Sequence, residues 1–329
     1  MSDVYTAICR GSCVVVTCKQ ETQYNVIFDA VEFLRNNCNW YKGSWEGRAI
    51  LVKLRESVPE SESSFGKILL RLSREIVIAT QMSTHNKVHK LLGCCLETKV
   101  PVLIYEWVAA ETLEDRILLK DEKQNKLPVL EWKDRLRIAW EISCAVSYFH
   151  SAFPRPFIHG YLEPLSVFLN QDNAAILSNF SLSASIPEGQ NFVVDHFVEE
   201  TRGYEAPEYQ TRREFTEYTD VYSFGVLFLV LLTGKDATFS CICIGENAKS
   251  TNIIDWVTSK IRNKRISEIV DPVINNSEIP ASELSASIDL ALRCTSFQAY
   301  KRPTMEDVEI ELCNMLRSSK SIPTTSSVV

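Results

Sequence analysis

An α+β fold in two unequal parts, a small strand-rich half followed by a larger helical half, is what this sequence predicts. Three observations lead there. From Trp40 to Tyr105 come short apolar runs rich in Val, Ile and Leu, as strands require. One segment among them, Phe65–Met82, carries Ile68, Leu69, Leu72, Ile76 and Ala79 at three- and four-residue spacing, the mark of a helix. Beyond Glu106 the helical spacing takes over, so the chain reads as strands first and helices afterwards.

In chain order, residues 1–30 form an extension in which only Val14-Val15-Val16 has strand character. Residues 31–105 form the strand-rich part with its one main helix, and a hinge falls near Glu106. Residues 106–317 form the helical part. There Ile138, Ile142, Ala145, Val146 and Phe149 mark one apolar face, and Val221–Leu232 is apolar all round, as a fully buried helix is. Leu284–Cys294 and Met305–Leu316 are two further helices, Asp121–Lys126 is a polar loop, and the Ser/Thr-rich tail over 318–329 is expected to be disordered.

Composition sets limits on function. The 329 residues suit one large two-part domain or two ordinary ones. A net charge of −7, with no run of Lys or Arg, argues against a nucleic-acid partner. The 11 cysteines show no C-x-x-C spacing, so no metal site is expected and reduced, mostly buried thiols are. Met1–Arg10 has no secretory pattern, Ser2 excludes N-myristoylation, and Phe224–Leu232 is too short to span a bilayer. The expected location is cytoplasmic, with no direct membrane insertion; recruitment to the plasma membrane would run through partners.

Several short segments resemble protein-kinase signatures, in kinase order. Ile50-Leu51-Val52-Lys53 resembles the V-A-I-K strand, with Glu75 placed as the lysine's helical partner. Ala206-Pro207-Glu208 resembles the A-P-E that closes an activation segment, Asp220–Gly225 opens the central buried helix, and Arg302-Pro303 supplies the late arginine that pairs with Glu208. Lys90–Glu97, Leu103–Glu106 and Leu232-Thr233-Gly234-Lys235 are similar to plant receptor-like kinases of the wall-associated type. His150-Ser151-Ala152-Phe153-Pro154 and the altered loop after it resemble the ZRK group of plant receptor-like cytoplasmic pseudokinases. The resemblance implies a bilobal protein-kinase fold. It also implies an adaptor or decoy that binds the leucine-rich-repeat domain of a ZAR-type NLR immune receptor and senses a bacterial effector or an effector-modified receptor-like cytoplasmic kinase.

Against the kinase pattern, the residues whose purpose is chemistry are altered. Phosphoryl transfer rests on positioning and charge stabilisation, so its few charged groups are hard to replace. The catalytic loop reads His159-Gly160-Tyr161-Leu162-Glu163-Pro164-Leu165-Ser166. Tyr161 stands where the proton-accepting aspartate belongs, and a phenol with a reference pKa of about 10 is a poor base at neutral pH. Glu163 brings negative charge where a lysine would meet the phosphoryl group, and Ser166 replaces a magnesium-binding asparagine. D-F-G has become Asn179-Phe180-Ser181, a neutral amide in place of a carboxylate ligand. The three glycines of the phosphate loop fall at Phe33, Arg35 and Cys38.

In the nucleotide pocket, which also takes in Tyr105, Trp40, Leu51 and Phe168 are bulky residues at the adenine positions, so no cofactor is expected: ATP and Mg²⁺ binding should be weak or absent. Lys53 and Glu75 are kept, either as a vestige of catalysis or as a salt bridge holding helix to strand. The residues that only support the scaffold, His159, Phe180, Glu208, Asp220 and Arg302, are all present, as are Ala79 and Leu91 of the internal spine. In the activation segment, Ser181, Ser183, Ser185 and Thr201 are candidates for modification. Trp45 is a candidate aromatic anchor on a docking face. Two functions stand open at this point: a pseudokinase adaptor, or a weak, atypical serine/threonine kinase using ATP.

Overall fold

The computed structural model describes residues 14–15, 39–45, 47–54, 61–96, 98, 100–108, 111–118, 128–194, 203–241, 249–274 and 279–318. Phe33, Arg35, Cys38, Thr201, the polar loop at 121–126 and the tail from 319 onward lie outside them. Contacts divide the chain into two compact units. The first takes Met1–Thr112, His159–Tyr161 and Ser166–Ala184, and the second takes Leu113–Ile158, Leu162–Leu165 and Ser185–Val329.

In the first unit, β1 (Val14–Val15), β2 (Asn39–Trp45), β3 (Arg48–Leu54), β4 (Leu91–Cys95) and β5 (Val102–Glu106) form a sheet of order β1-β4-β5-β3-β2. β1 runs parallel to β4 and the other pairs are antiparallel. The pleat sorts the strand residues by face. Ile50, Val52 and Ile104 form an apolar cluster with Tyr41, Trp45 and Leu92 packed against it. The alternate residues Leu51 and Lys53 turn to the opposite face, because side chains alternate along a strand. Register extends that second face across the sheet: Trp40 pairs with Lys53, Leu51 with Tyr105, and Tyr105 with Leu91. A one-residue slip would exchange the two faces completely. Trp45, a candidate docking anchor by sequence, is half-buried packing on the apolar face.

Helix α1 (Glu62–Met82) starts at Ser61, whose hydroxyl accepts from the Ser64 N–H and satisfies one of the helix's orphan donors. Its buried stripe is Ile68, Leu72, Glu75, Ala79 and Met82, at spacings that keep one side of a 3.6-residue helix inward. Ile78 joins them, whereas Leu69 and Ile76 are only half-buried. Glu75 is the one charge on that stripe. Strand β6 (Glu111–Thr112) pairs with Val167–Leu169, which pairs with Ala175–Leu177. Backbone bonds from His89 N–H to Leu177 C=O and from Leu177 N–H to Lys87 C=O, both 2.8 Å, tie this small sheet to the segment entering β4.

The second unit is helical: α2 (Leu113–Ile117), α3 (Trp132–Ser151), α4 (Pro207–Arg212), α5 (Glu217–Thr233), α6 (Ile253–Arg262), α7 (Ala281–Cys294) and α8 (Met305–Ser318). The apolar face expected on α3 is buried at all five positions. α5 is buried on every side, from Thr219 to Thr233 with Ser223 the exception. At Gly225 an added Cβ would lie 2.7 Å from the Cys294 Cβ, so glycine is what lets α5 and α7 approach. Gly234 ends α5 in the left-handed conformation, φ 64°.

The expectation of reduced thiols holds for Cys94, Cys144, Cys294 and Cys313, which lie outside any disulfide. Cys95 departs from it, being disulfide-bonded.

Candidate functional site

The sheet register and α1 bring the predicted pocket residues together within the first unit. Lys53 Nζ lies 2.8 and 3.0 Å from the two carboxylate oxygens of Glu75 and 3.0 Å from Asn179 Oδ1. An ammonium has three N–H donors, and here three acceptors stand within hydrogen-bond range. Tyr105 adds a further bond from its hydroxyl to Glu75 Oε1, 2.8 Å. Lys53 is 4% exposed and Glu75 0%. The cluster is neutral in sum: one ammonium, one carboxylate and one amide.

Asn179 occupies the left-handed region, φ 64°, a conformation asparagine tolerates better than most residues. That backbone turn delivers its side chain to Lys53, and the same Oδ1 accepts from the Ser181 hydroxyl at 3.2 Å.

Above this polar knot lies an aromatic cluster. Trp40 and Phe168 meet edge to face with ring centroids 5.2 Å apart, and Trp40 and Tyr105 lie 5.5 Å apart. A third ring between two others would need about 7 Å, two van der Waals contacts, so the Trp40–Phe168 distance leaves no such gap. Leu51 is fully buried in the same region of the sheet face. The Lys53 ammonium lies 5.5 Å from the Trp40 ring centroid, within cation–π range.

His89 belongs to this cluster although the sequence reading did not single it out. Its ring lies 4.6 Å from Tyr105, 5.4 Å from Phe168 and 5.9 Å from Trp40. Its pKa falls from 6.5 to about 4; burial is the main cause, the bond to the Glu106 carbonyl opposes it, and the Lys53 charge adds to it. The available signal was the in–out alternation His89-Lys90-Leu91, which turns a polar residue inward beside Leu91.

The catalytic-loop residues are placed as follows. His159 is buried; its Nδ1 accepts from the Tyr161 N–H (3.2 Å), so Nε2 carries the proton and donates to the Ser178 carbonyl (3.0 Å). It meets Phe180 edge to face at 5.6 Å, and Ala79 and Leu91 are buried as well. Tyr161 and Ser166 are buried, and Ser166 C=O accepts from the Ser178 N–H. Glu163 falls in the second unit, half-buried.

One group of sequence candidates needs correction. Ser183 was counted among hydroxyls open to modification. It is fully buried and donates to the His159 carbonyl at 2.8 Å, so it is not presented to another enzyme. Ser181 and Ser185 are half-buried.

In the second unit, Arg302 grips both oxygens of Glu208 (2.6 and 2.8 Å), donates to the carbonyls of Tyr218 and Ser296, and lies 4.9 Å from the Tyr222 ring centroid. Asp220 is buried on α5 and sits 3.0 Å from His150 Nε2. Among the described residues no group of three or more His, Cys, Asp or Glu is arranged to hold a metal ion. None of the described helices is long and apolar enough to cross a membrane.

A family model for protein tyrosine and serine/threonine kinases matches residues 37–312. The chain belongs to the protein-kinase family. Within it the chain groups with the ZRK proteins and their wall-associated-type kinase domain. It is 35% identical to "Non-functional pseudokinase ZRK2" of Arabidopsis thaliana, over 83% of this chain and 74% of the relative. It is equally 35% identical to "Serine/threonine-protein kinase ZRK1" of the same plant, over 86% of this chain and 79% of the relative. Wall-associated receptor kinase 5 of Arabidopsis thaliana is 34% identical over 72% of this chain, which spans 31% of that longer receptor.

Proposed function

We propose that this chain is a catalytically inactive pseudokinase that works by binding, as an adaptor or decoy between a plant NLR immune receptor and a pathogen effector or an effector-modified receptor-like cytoplasmic kinase. The names of its relatives divide, ZRK2 being called a non-functional pseudokinase and ZRK1 a serine/threonine-protein kinase, so the reading rests on this chain's own residues. The observation that carries it is the engagement of Lys53: its donors meet Glu75 and Asn179 and leave none spare for a phosphate. Trp40 and Phe168, in mutual contact, leave no gap for a purine between them. Tyr161, Ser166 and Asn179 replace the base and both metal ligands with uncharged groups. These residues do not fit Mg-ATP, and no cofactor is assigned. The ZRK-group resemblance is what supports the proposed partners: the leucine-rich-repeat domain of a ZAR-type receptor on one side, an effector or its modified kinase target on the other. The working location is the cytoplasm, with membrane recruitment through those partners.

The second reading, a weak serine/threonine kinase, draws on the intact Lys53–Glu75 pair. Incubation with radiolabelled ATP beside a Lys53→Ala control separates the two. The proposal expects no transfer by either protein; transfer abolished by Lys53→Ala would establish the kinase instead. Co-purification with an NLR leucine-rich-repeat domain is the expected positive result for the adaptor, and failure to associate with any such domain removes that half of the proposal.

A further inference from the structure

The second unit carries its positive charge unevenly. On the last turn of α6 and the loop after it stand Lys260, Arg262, Lys264 and Arg265, interleaved with Ile261 and Asn263. Glu268 is the one carboxylate over Lys260–Glu268, so the stretch has a net charge of +3 in a chain whose total is −7. Glu268 pairs with Lys260 and, at 3.7 Å, with Arg265. Asp255, two turns before Arg262, is the only acid of α6 itself. Arg262, Lys264 and Arg265 are exposed, and Ile266 beside them is 37% exposed.

The backbone fixes this arrangement. Arg265 N–H donates to the Lys260 carbonyl and Lys264 N–H to the Ile261 carbonyl, both at 2.9 Å, the paired bonds of a Schellman motif. The left-handed position of that motif suits glycine, yet Lys264 occupies it, φ 57°. A cation is thus kept where a smaller residue would be less strained. Beside the turn, the ammonium groups of Lys235 and Lys260 lie 5.1 and 5.4 Å from the Trp256 ring centroid, and Lys235 lies 5.1 Å from that of Phe239. Both rings are half-buried. Amphipathic rings, an exposed isoleucine and cations around them are the side chains that settle at a membrane–water boundary, apolar body inward and charge at headgroup level.

We infer that the C-terminal end of α6 and its turn adsorb to the surface of an anionic lipid bilayer, with no segment crossing it. Nucleic acid would meet the same cations, but Ile266 and the Trp256–Phe239 pair favour lipid, which offers apolar contact beside negative charge. Cations at a helix C-terminus also favour the helix itself, an effect that needs no left-handed lysine. This contact is direct, beyond recruitment through partners, and its outcome leaves the reading of the Lys53 cluster untouched.

The test is sedimentation of the full chain with vesicles of phosphatidylcholine alone or with about one-third phosphatidylserine, at low and high salt. Binding to the anionic vesicles alone, weakened by salt, is expected. Each Lys or Arg near such a surface contributes about fivefold, so Arg262→Gln, Lys264→Gly and Arg265→Gln together should weaken binding about a hundredfold. Lys264→Gly alone should weaken it about fivefold and leave the thermal midpoint equal or higher, because glycine relieves the left-handed position. A purely structural role gives the reverse, a lower midpoint with unchanged vesicle binding, and that result overturns the inference. Equal binding to both vesicle types, binding to neither, or tighter binding to a DNA duplex than to anionic vesicles overturns it as well. Should the triple variant fail to fold, Lys264→Gly alone decides.

Discussion

Lys53 in the first unit and Arg302 in the second are both 4% exposed cations, each paired with a carboxylate from a distant part of the chain. They differ in what else they hold. Arg302 spends its planar fork on Glu208 and on backbone carbonyls, partners whose only effect is to fix loops against helices. Lys53 holds one carboxylate and the amide of Asn179, at a position where the kinase pattern expects a metal-binding aspartate. An aspartate there would leave the cluster with net negative charge, which a cation would have to offset; asparagine makes it neutral as it stands. The comparison teaches that the presence of a buried ion pair does not define its role. Arg302–Glu208 holds scaffold segments alone, while Lys53–Glu75 lies in a cluster whose charges already cancel.

The largest test of this contrast is Arg302→Ala. Removing one partner of a buried pair strands the other, so stability should fall by about 3–5 kcal/mol in urea unfolding. A loss below about 1 kcal/mol would mean that Arg302 and Glu208 are not the anchor they resemble.

Acid should find the first unit's weak point. Burial holds His89 near 4 against about 6.5 in the unfolded chain, so below pH 6.5 the unfolded chain takes up a proton that the folded chain refuses. This stability contribution is complete above pH 6.5 and declines as the pH falls toward 4, by up to about 3 kcal/mol. The slope of stability against pH over that window should flatten in His89→Asn. An unchanged slope would show that His89 titrates normally.

The smallest effect belongs to an exposed pair. Arg293 and Glu311 form a close ion pair on the surface of the second unit, with side chains 40% and 38% exposed. Glu311→Gln should cost at most about 1 kcal/mol and lose even that in high salt. A cost near that of Arg302→Ala would remove burial as the basis of the comparison.

Much of this was legible in the residues. Short apolar runs announced the first sheet, three- and four-residue spacing announced α1 and α3, and a stretch apolar all round announced α5, because such patterns are local properties. The motif words around Lys53, Glu208, Asp220 and Arg302 announced the family, Tyr161 and Asn179 showed which charges were missing, and Ser166 showed a lost amide ligand. Ser183 misled because a serine in a loop-like segment gives no sign of whether it points out or in. His89 escaped because it lies in no motif word, and only the pairing of β4 with β5 shows what surrounds it.

The sequence by itself determined the fold class, the scaffold pairs and the loss of charged groups at the catalytic positions, since each depends on residue type and spacing along the chain. Tertiary structure alone decided that Lys53 gives its third donor to Asn179, 126 positions away, and that His89 finds acceptor and donor in Glu106 and Ser178. Such contacts depend on strand register and on a left-handed turn at Asn179, and both are set by long-range packing rather than by the neighbouring residues.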